Sequence, residues 1–169
     1  MWALIKLFFD ICCFSKAPQD IPYSPALLKV LILIYAALAF LILSPDEGFL
    51  KGLFEVACEL LLMMLFVWAT LFIYQKTSRY TQVLCAFVGV DALISFFALP
   101  AMTALIAGRW IDVASVSILG LMAWHWAICG HIIRHALSQS LLFGLGMAFL
   151  YILGSYEIMA WLFPIANSE

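Results

Sequence analysis

An all-α, polytopic membrane protein is the fold class this sequence predicts: five transmembrane helices preceded by a short interfacial amphipathic helix. Two observations carry that prediction. Of the 169 residues, 67% are hydrophobic and 11% charged, whereas an average soluble domain is about 50% apolar and about 25% charged; the mean hydropathy is +1.12. The apolar residues also gather into five runs separated by short polar turns, each near the ~20 residues a helix needs to cross the hydrocarbon core. The length allows one domain, organised as a cytoplasmic interfacial helix and proline-rich turn over 1–25, a five-helix membrane domain over 26–163 and a short tail over 164–169. Net charge is −2 with no basic run, which excludes nucleic acid as a partner.

In the first segment Trp2, Ile5, Phe9 and Cys12 share one face of a helical wheel, while Lys6 and Asp10 form an i,i+4 pair on another. That pattern suits a helix lying in the interface, as a membrane anchor or as a binding arm. Asp10 interrupts the apolar stretch and no small-residue cleavage site follows, so the segment does not read as a secretory signal. Pro18, Pro22 and Pro25 then end any continuous helix.

The spans are expected at 26–43, 53–74, 80–107, 114–133 and 141–163. Ser24 before Pro25 is a helix start, and Ser44-Pro45-Asp46-Glu47 has the same form with a capping-box Glu. The second helix is therefore expected to begin at Pro45 and reach Gln75, exceeding the bilayer core by roughly 15 Å. Pro100 in the third span removes a backbone hydrogen bond and predicts a kink. Ser140, Gly144 and Ala148 in the fifth span, and Ala123 and Ala127 in the fourth, are small residues four apart, which predicts close helix approach along those faces.

Lysine and arginine counts set the orientation. Lys6, Lys16, Lys29, Lys76, Arg79 and Arg134 fall on one side of a five-span arrangement, against Lys51 and Arg109 on the other. The N-terminus is expected in the cytoplasm and the C-terminus in the periplasm, with a bacterial cytoplasmic (inner) membrane as the location.

Alternating span directions place Asp91 and His125 near the midplane, with Glu59 and Glu157 in the outer third. An ionisable side chain at bilayer depth costs about 2.5–3.5 kcal/mol on insertion scales and marks a candidate functional site. Asp91 and His125 should face each other. Such a pair either holds two helices together for around 1 kcal/mol, or relays protons or binds a metal together with Glu59 or Glu157. Glu47, Lys51, Glu55 and Glu59 form a polar stripe descending one helix, with Glu59 a full turn deeper than the rest; Glu157 lies beside Tyr156 and Trp161, near the outer aromatic belt.

His131 and His135, four apart, share a face at the cytoplasmic end of the fourth span. With Cys12 and Cys13 they are either part of a zinc shell or a pair of interfacial histidines. The cysteines at 12, 13, 58, 85 and 129 include no CxxC pair and read as small buried hydrophobes. Catalytic signatures such as GxSxG, HExxH and a phosphate-binding glycine loop are missing, so neither an enzyme nor a cofactor is expected.

The stretch from Ile118 through Trp124, Trp126, Gly130, Ile133 and Ser138-Gln139-Ser140 to Leu150, set in five closely spaced spans behind a cytoplasmic segment, resembles the Yip family of membrane proteins. The family's DLxGP-like motif has its nearest counterpart in Asp20-Ile21-Pro22-Tyr23-Ser24-Pro25, which lacks the glycine, and the YGY-type motif of the third span is missing. The resemblance implies a five-span fold; eukaryotic members of the family interact with Rab-type GTPases and organise membranes. The expected function is a non-enzymatic organising or accessory subunit, with the lipid bilayer and other membrane proteins or further copies of itself as partners. The alternative is a small transporter or ion- or proton-conducting subunit built on Asp91 and His125.

Overall fold

The computed structural model describes the backbone of residues 2–164, and all their side chains except those of residues 2, 3 and 43–47. The described residues contain six α-helices and no strand: α1 Trp2–Cys12, α2 Pro25–Glu47, α3 Phe49–Ile73, α4 Tyr80–Ile106, α5 Ile111–Leu137 and α6 Leu141–Leu162. The last five are long and apolar enough to cross a membrane.

α4 is the central helix, packed on α1, α2, α3 and α5, and α6 lies against α5 and α3. Its sequence explains that position. From Val83 to Val90 every residue is buried, and a helix apolar on all sides is stable only when neighbours surround it. Gly89 lets Phe8 of α1 in, because a Cβ there would lie 2.3 Å from the Phe8 ring. α1 is a short helix as the sequence predicts, but its expected place in the cytoplasmic interface is corrected. Phe8 packs on Gly89 and the Phe9 ring lies 6.0 Å from that of Phe97, both mid-span on α4, with Phe8, Ile11 and Cys12 buried and Ile5 and Phe9 exposed. The side chain of Trp2 lies outside the description.

Hydrogen bonds fasten α1 and the segment after it to the bundle. Trp124 Nε1 donates to the Cys12 carbonyl at 3.1 Å, Gln19 Nε2 to the His135 carbonyl at 2.6 Å, and Gln82 Nε2 to the Ile21 carbonyl at 2.8 Å. At the same end Lys76 Nζ donates to the Leu137 carbonyl at 2.6 Å and the Ser138 hydroxyl at 2.8 Å, satisfying the last turn of α5 with a cation.

Ser24 caps α2 as expected, its hydroxyl accepting from the Leu27 N–H at 3.2 Å with Pro25 at the first helical position. The expected start of the next helix at Pro45 is corrected. α2 continues through Glu47, and the chain reverses at Gly48, whose φ of 83° and ψ of 157° lie in a region open essentially to glycine. The reversal goes to the one residue able to adopt that backbone. Farther along, α4 continues helical through the exposed Pro100 to Ile106.

α5 and α6 approach closely where they leave their shared turn. A Cβ on Gly144 would sit 2.3 Å from the Gly130 carbonyl oxygen, and Ala148 is fully buried. Two expectations about this face are corrected. Ser140 is exposed and acts as the cap of α6, accepting from the Phe143 N–H at 3.3 Å. The α5 partner at the closest approach is Gly130; Ala123 is exposed and Ala127 half-buried. The close approach lies near the turn, and Ala123, farther along α5, faces an open apolar groove with Met122, Phe149 and Leu153.

The bundle therefore has two unequal halves. On the side of the α3–α4 and α5–α6 turns, Met63, Val67, Leu84, Phe87, Ile128 and Ile132 are almost fully buried. On the opposite side the helices separate, and the polar residues stand at the boundary.

Candidate functional site

Asp91, on α4, closes the tightly packed stretch of that helix. Facing it across the α4–α5 seam, His125 brings Nε2 to 2.7 Å from Asp91 Oδ1. This is a hydrogen bond when the imidazole is neutral and an ion pair when it is protonated. The contact follows from chain geometry: α4 and α5 run antiparallel, and the two residues lie at matching depth. One turn beyond His125, Cys129 is buried with Sγ 3.3 Å from the same Nε2.

A second pair stands across the opening. Tyr35 of α2 donates its hydroxyl to Glu59 Oε2 of α3 at 2.9 Å. Tyr35, Glu59, Asp91 and His125 together line two adjoining recesses of about 240 and 280 Å³. One runs along Ile42 and Ser95, the other along Tyr151, Ser155 and Met159. Ile42 and Met159 lie toward the ends of α2 and α6 remote from the α3–α4 and α5–α6 turns, so the recesses extend into the splayed half. Beneath them Tyr151 stacks on Phe66 at 4.5 Å between ring centroids, and Phe87 meets Tyr151 edge-on at 6.0 Å. These rings and the buried layer around Ile128 and Ile132 close the side toward the α3–α4 and α5–α6 turns.

The five apolar helices and this enclosed polar seam define an integral, multi-pass, all-α membrane protein. Compared with known proteins, the chain matches no family model, no curated protein and no solved structure.

The remaining candidate residues fall elsewhere. Glu157 is exposed and lines neither recess, which corrects its expected place in the seam. Ser155 and Met159 take the inner face of α6, and Glu157, two residues from each, points away from it. On the acidic stripe Glu55 is buried, 3.8 Å from Lys51 Nζ; the Glu47 side chain lies outside the description. His131 is buried, its Nε2 2.9 Å from the Lys16 carbonyl, with its ring 4.5 Å from that of His135 and 5.3 Å from Phe14. Among the described residues, the group whose ligand atoms converge for a metal is Asp91, His125 and Cys129, all within 4.8 Å of one another; His131 and His135 are not joined to Cys12 and Cys13 in such a group.

Sequence reasoning missed Cys129, Tyr35, Tyr151 and Ser155. For Cys129 a signal was present, since it lies four residues from His125 and therefore on the same helix face. Tyr35 and Tyr151 are mid-span tyrosines, which sequence alone does not distinguish from core aromatics.

Proposed function

We propose that the protein is a small, non-enzymatic carrier of cations, with Asp91 and His125 as the binding pair at the inner end of an intramembrane vestibule. The observation that carries this reading is the 2.7 Å Asp91–His125 contact lining recesses that also expose Glu59 and Tyr35. A pair serving only to join two helices needs no cavity beside it. Ionisable groups that line a cavity within a membrane are characteristic of ion pathways. The lysine and arginine distribution supports a bacterial inner membrane arrangement with the α3–α4 and α5–α6 turns in the cytoplasm; the vestibule then faces outward, and the packed layer around Phe87, Ile128 and Ile132 is its inner barrier.

The test is substitution of Asp91→Asn and His125→Gln, singly and together, followed by membrane abundance and cation and proton flux in sealed vesicles. Abundance near wild type with lost flux is expected. Reduced abundance with a double variant no worse than either single, and flux that scales only with the protein present, would make the pair a structural contact.

A second reading, an organising or accessory subunit of Yip-like architecture, draws on the exposed groove of Met122, Ala123, Trp126, Phe149 and Leu153 between α5 and α6. Co-purification in mild detergent tests it. A carrier that elutes alone with full flux removes the need for this reading.

A further inference from the structure

Three different donor atoms converge at the inner end of the vestibule: a carboxylate oxygen of Asp91, Nε2 of His125 and Sγ of Cys129. The imidazole nitrogen is shared between the other two, at 2.7 Å from Oδ1 and 3.3 Å from Sγ. Nε2 presents a single hydrogen or a single lone pair, so it cannot make a full hydrogen bond in both directions. A cation among the three atoms satisfies all of them at once.

The distances suit one class of ion. Around a tetrahedral Zn²⁺, with bonds of about 2.0–2.3 Å, neighbouring donor atoms stand about 3.4 to 3.6 Å apart. The N···S separation is already 3.3 Å, and the three atoms lie within 4.8 Å of one another. What remains is to open the N···O distance by less than about 1 Å and to bring the Asp91 oxygen and the Cys129 sulfur, which stand no more than 4.8 Å apart, to about 3.5 Å. A mixed nitrogen, oxygen and sulfur set favours borderline transition ions and disfavours Mg²⁺ and Ca²⁺, which take oxygen ligands. Charge selects further. A carboxylate and a thiolate neutralise a divalent ion, leaving no net charge inside the membrane, whereas a monovalent ion leaves an uncompensated anion. Three protein ligands also leave one position, and a site with an open position exchanges its ligand where a closed four-ligand site holds it.

Resting on the carrier reading above, we infer that Asp91, His125 and Cys129 form an exchangeable site for a borderline divalent transition-metal ion such as Zn²⁺, entered from the vestibule. On binding, the Cys129 thiol loses its proton to the vestibule water, the hydrogen between His125 Nε2 and Asp91 Oδ1 passes to Nδ1 or to the same water, and the freed sulfur, nitrogen and oxygen bond the metal; no electron is transferred. Glu59, held by Tyr35 on the opposite wall, is placed to escort the ion in and out.

The experiment is titration of the purified full chain in nanodiscs with Co²⁺, then displacement by Zn²⁺, alongside Cys129→Ser, His125→Gln and Glu59→Gln. One ion per chain is expected, with a thiolate-to-cobalt charge-transfer band that Zn²⁺ abolishes. The band should be lost in Cys129→Ser. Zn²⁺ affinity should fall by more than about 100-fold in both Cys129→Ser and His125→Gln, since even outer-shell partners are worth about 10- to 100-fold. Glu59→Gln should keep the band and slow Zn²⁺ exchange. A wild-type chain that binds Co²⁺ without the band, or not at all, overturns the site without reference to any variant's folding. Flux in vesicles separates this failure from that of the carrier reading: cation flux that needs Asp91 and His125 but is unchanged in Cys129→Ser sinks the metal site and keeps the carrier. One tightly held metal with no flux of any cation sinks the carrier and, with it, the exchangeable site.

Discussion

Replacing Gly144 by alanine should separate α6 from α5. A Cβ at this position would lie 2.3 Å from the Gly130 carbonyl oxygen, 3.1 Å from the Arg134 nitrogen and 3.2 Å from the Arg134 Cβ. Comfortable carbon–oxygen contacts begin near about 3.3 Å, so the two backbones must part by about 1 Å. The first obstacle is main chain, which no rotamer change relieves. Overpacking of this kind costs about 1–3 kcal/mol, and the neighbouring contacts lose a further share of their dispersion energy as the gap opens. Gly146 is the matched control, because a Cβ there meets nothing within 4 Å. Gly146→Ala should be neutral or stabilising by up to about 1 kcal/mol through helix propensity. Both are measured by reversible unfolding in mixed micelles followed by tryptophan fluorescence. Equal stability of the Gly144→Ala and Gly146→Ala proteins would refute the packing argument.

Gly89→Ala should push the Phe8 ring out of its seat and loosen α1, seen as faster proteolysis of the N-terminal segment; unchanged digestion would mean that α1 is held by its hydrogen bonds alone. In the wild-type protein at pH 8, maleimide should modify the exposed Cys13 and spare Cys12. Burial first, then the nearby Cys13, Asp91 and Cys129 charges, push the Cys12 thiol up to about 12, leaving on the order of one thiolate in ten thousand at that pH. Lys76→Met should cost about 1–2 kcal/mol in chemical unfolding by removing the cation that satisfies the end of α5; no loss would assign the Leu137 carbonyl and the Ser138 hydroxyl to water. Tyr35→Phe should cost about 0.6–1.7 kcal/mol, the range of interhelical hydrogen bonds in membranes, and a larger loss would mean that Glu59 has no other partner.

The spans and the Asp91–His125 contact were legible because each rests on a single period. Apolar runs of the right length name the helices, and alternating direction converts sequence position into depth. What failed were the rotational details. Glu157 has the depth of the seam but not its face, since Ser155 and Met159 turn the other side of α6 inward. Ala123 and Ala127 have the size for close packing, but the tight crossing falls at Gly130, near the turn, and the helices part before reaching Ala123. Ser44-Pro45 carried a good cap signal and lost to Gly48, whose backbone freedom fixes the reversal. Cys129 is readable four residues from His125, but its apolar neighbours give it the look of ordinary core filling.

The most direct test of the central claim is saturable uptake of Zn²⁺ into sealed vesicles holding either the wild-type chain or Asp91→Asn, at equal folded protein content. Uptake by the wild type that saturates, and that falls to the level of protein-free vesicles in Asp91→Asn, is the predicted result. Equal uptake by the two proteins would show that the Asp91–His125 pair binds no transported cation and serves only to join α4 to α5.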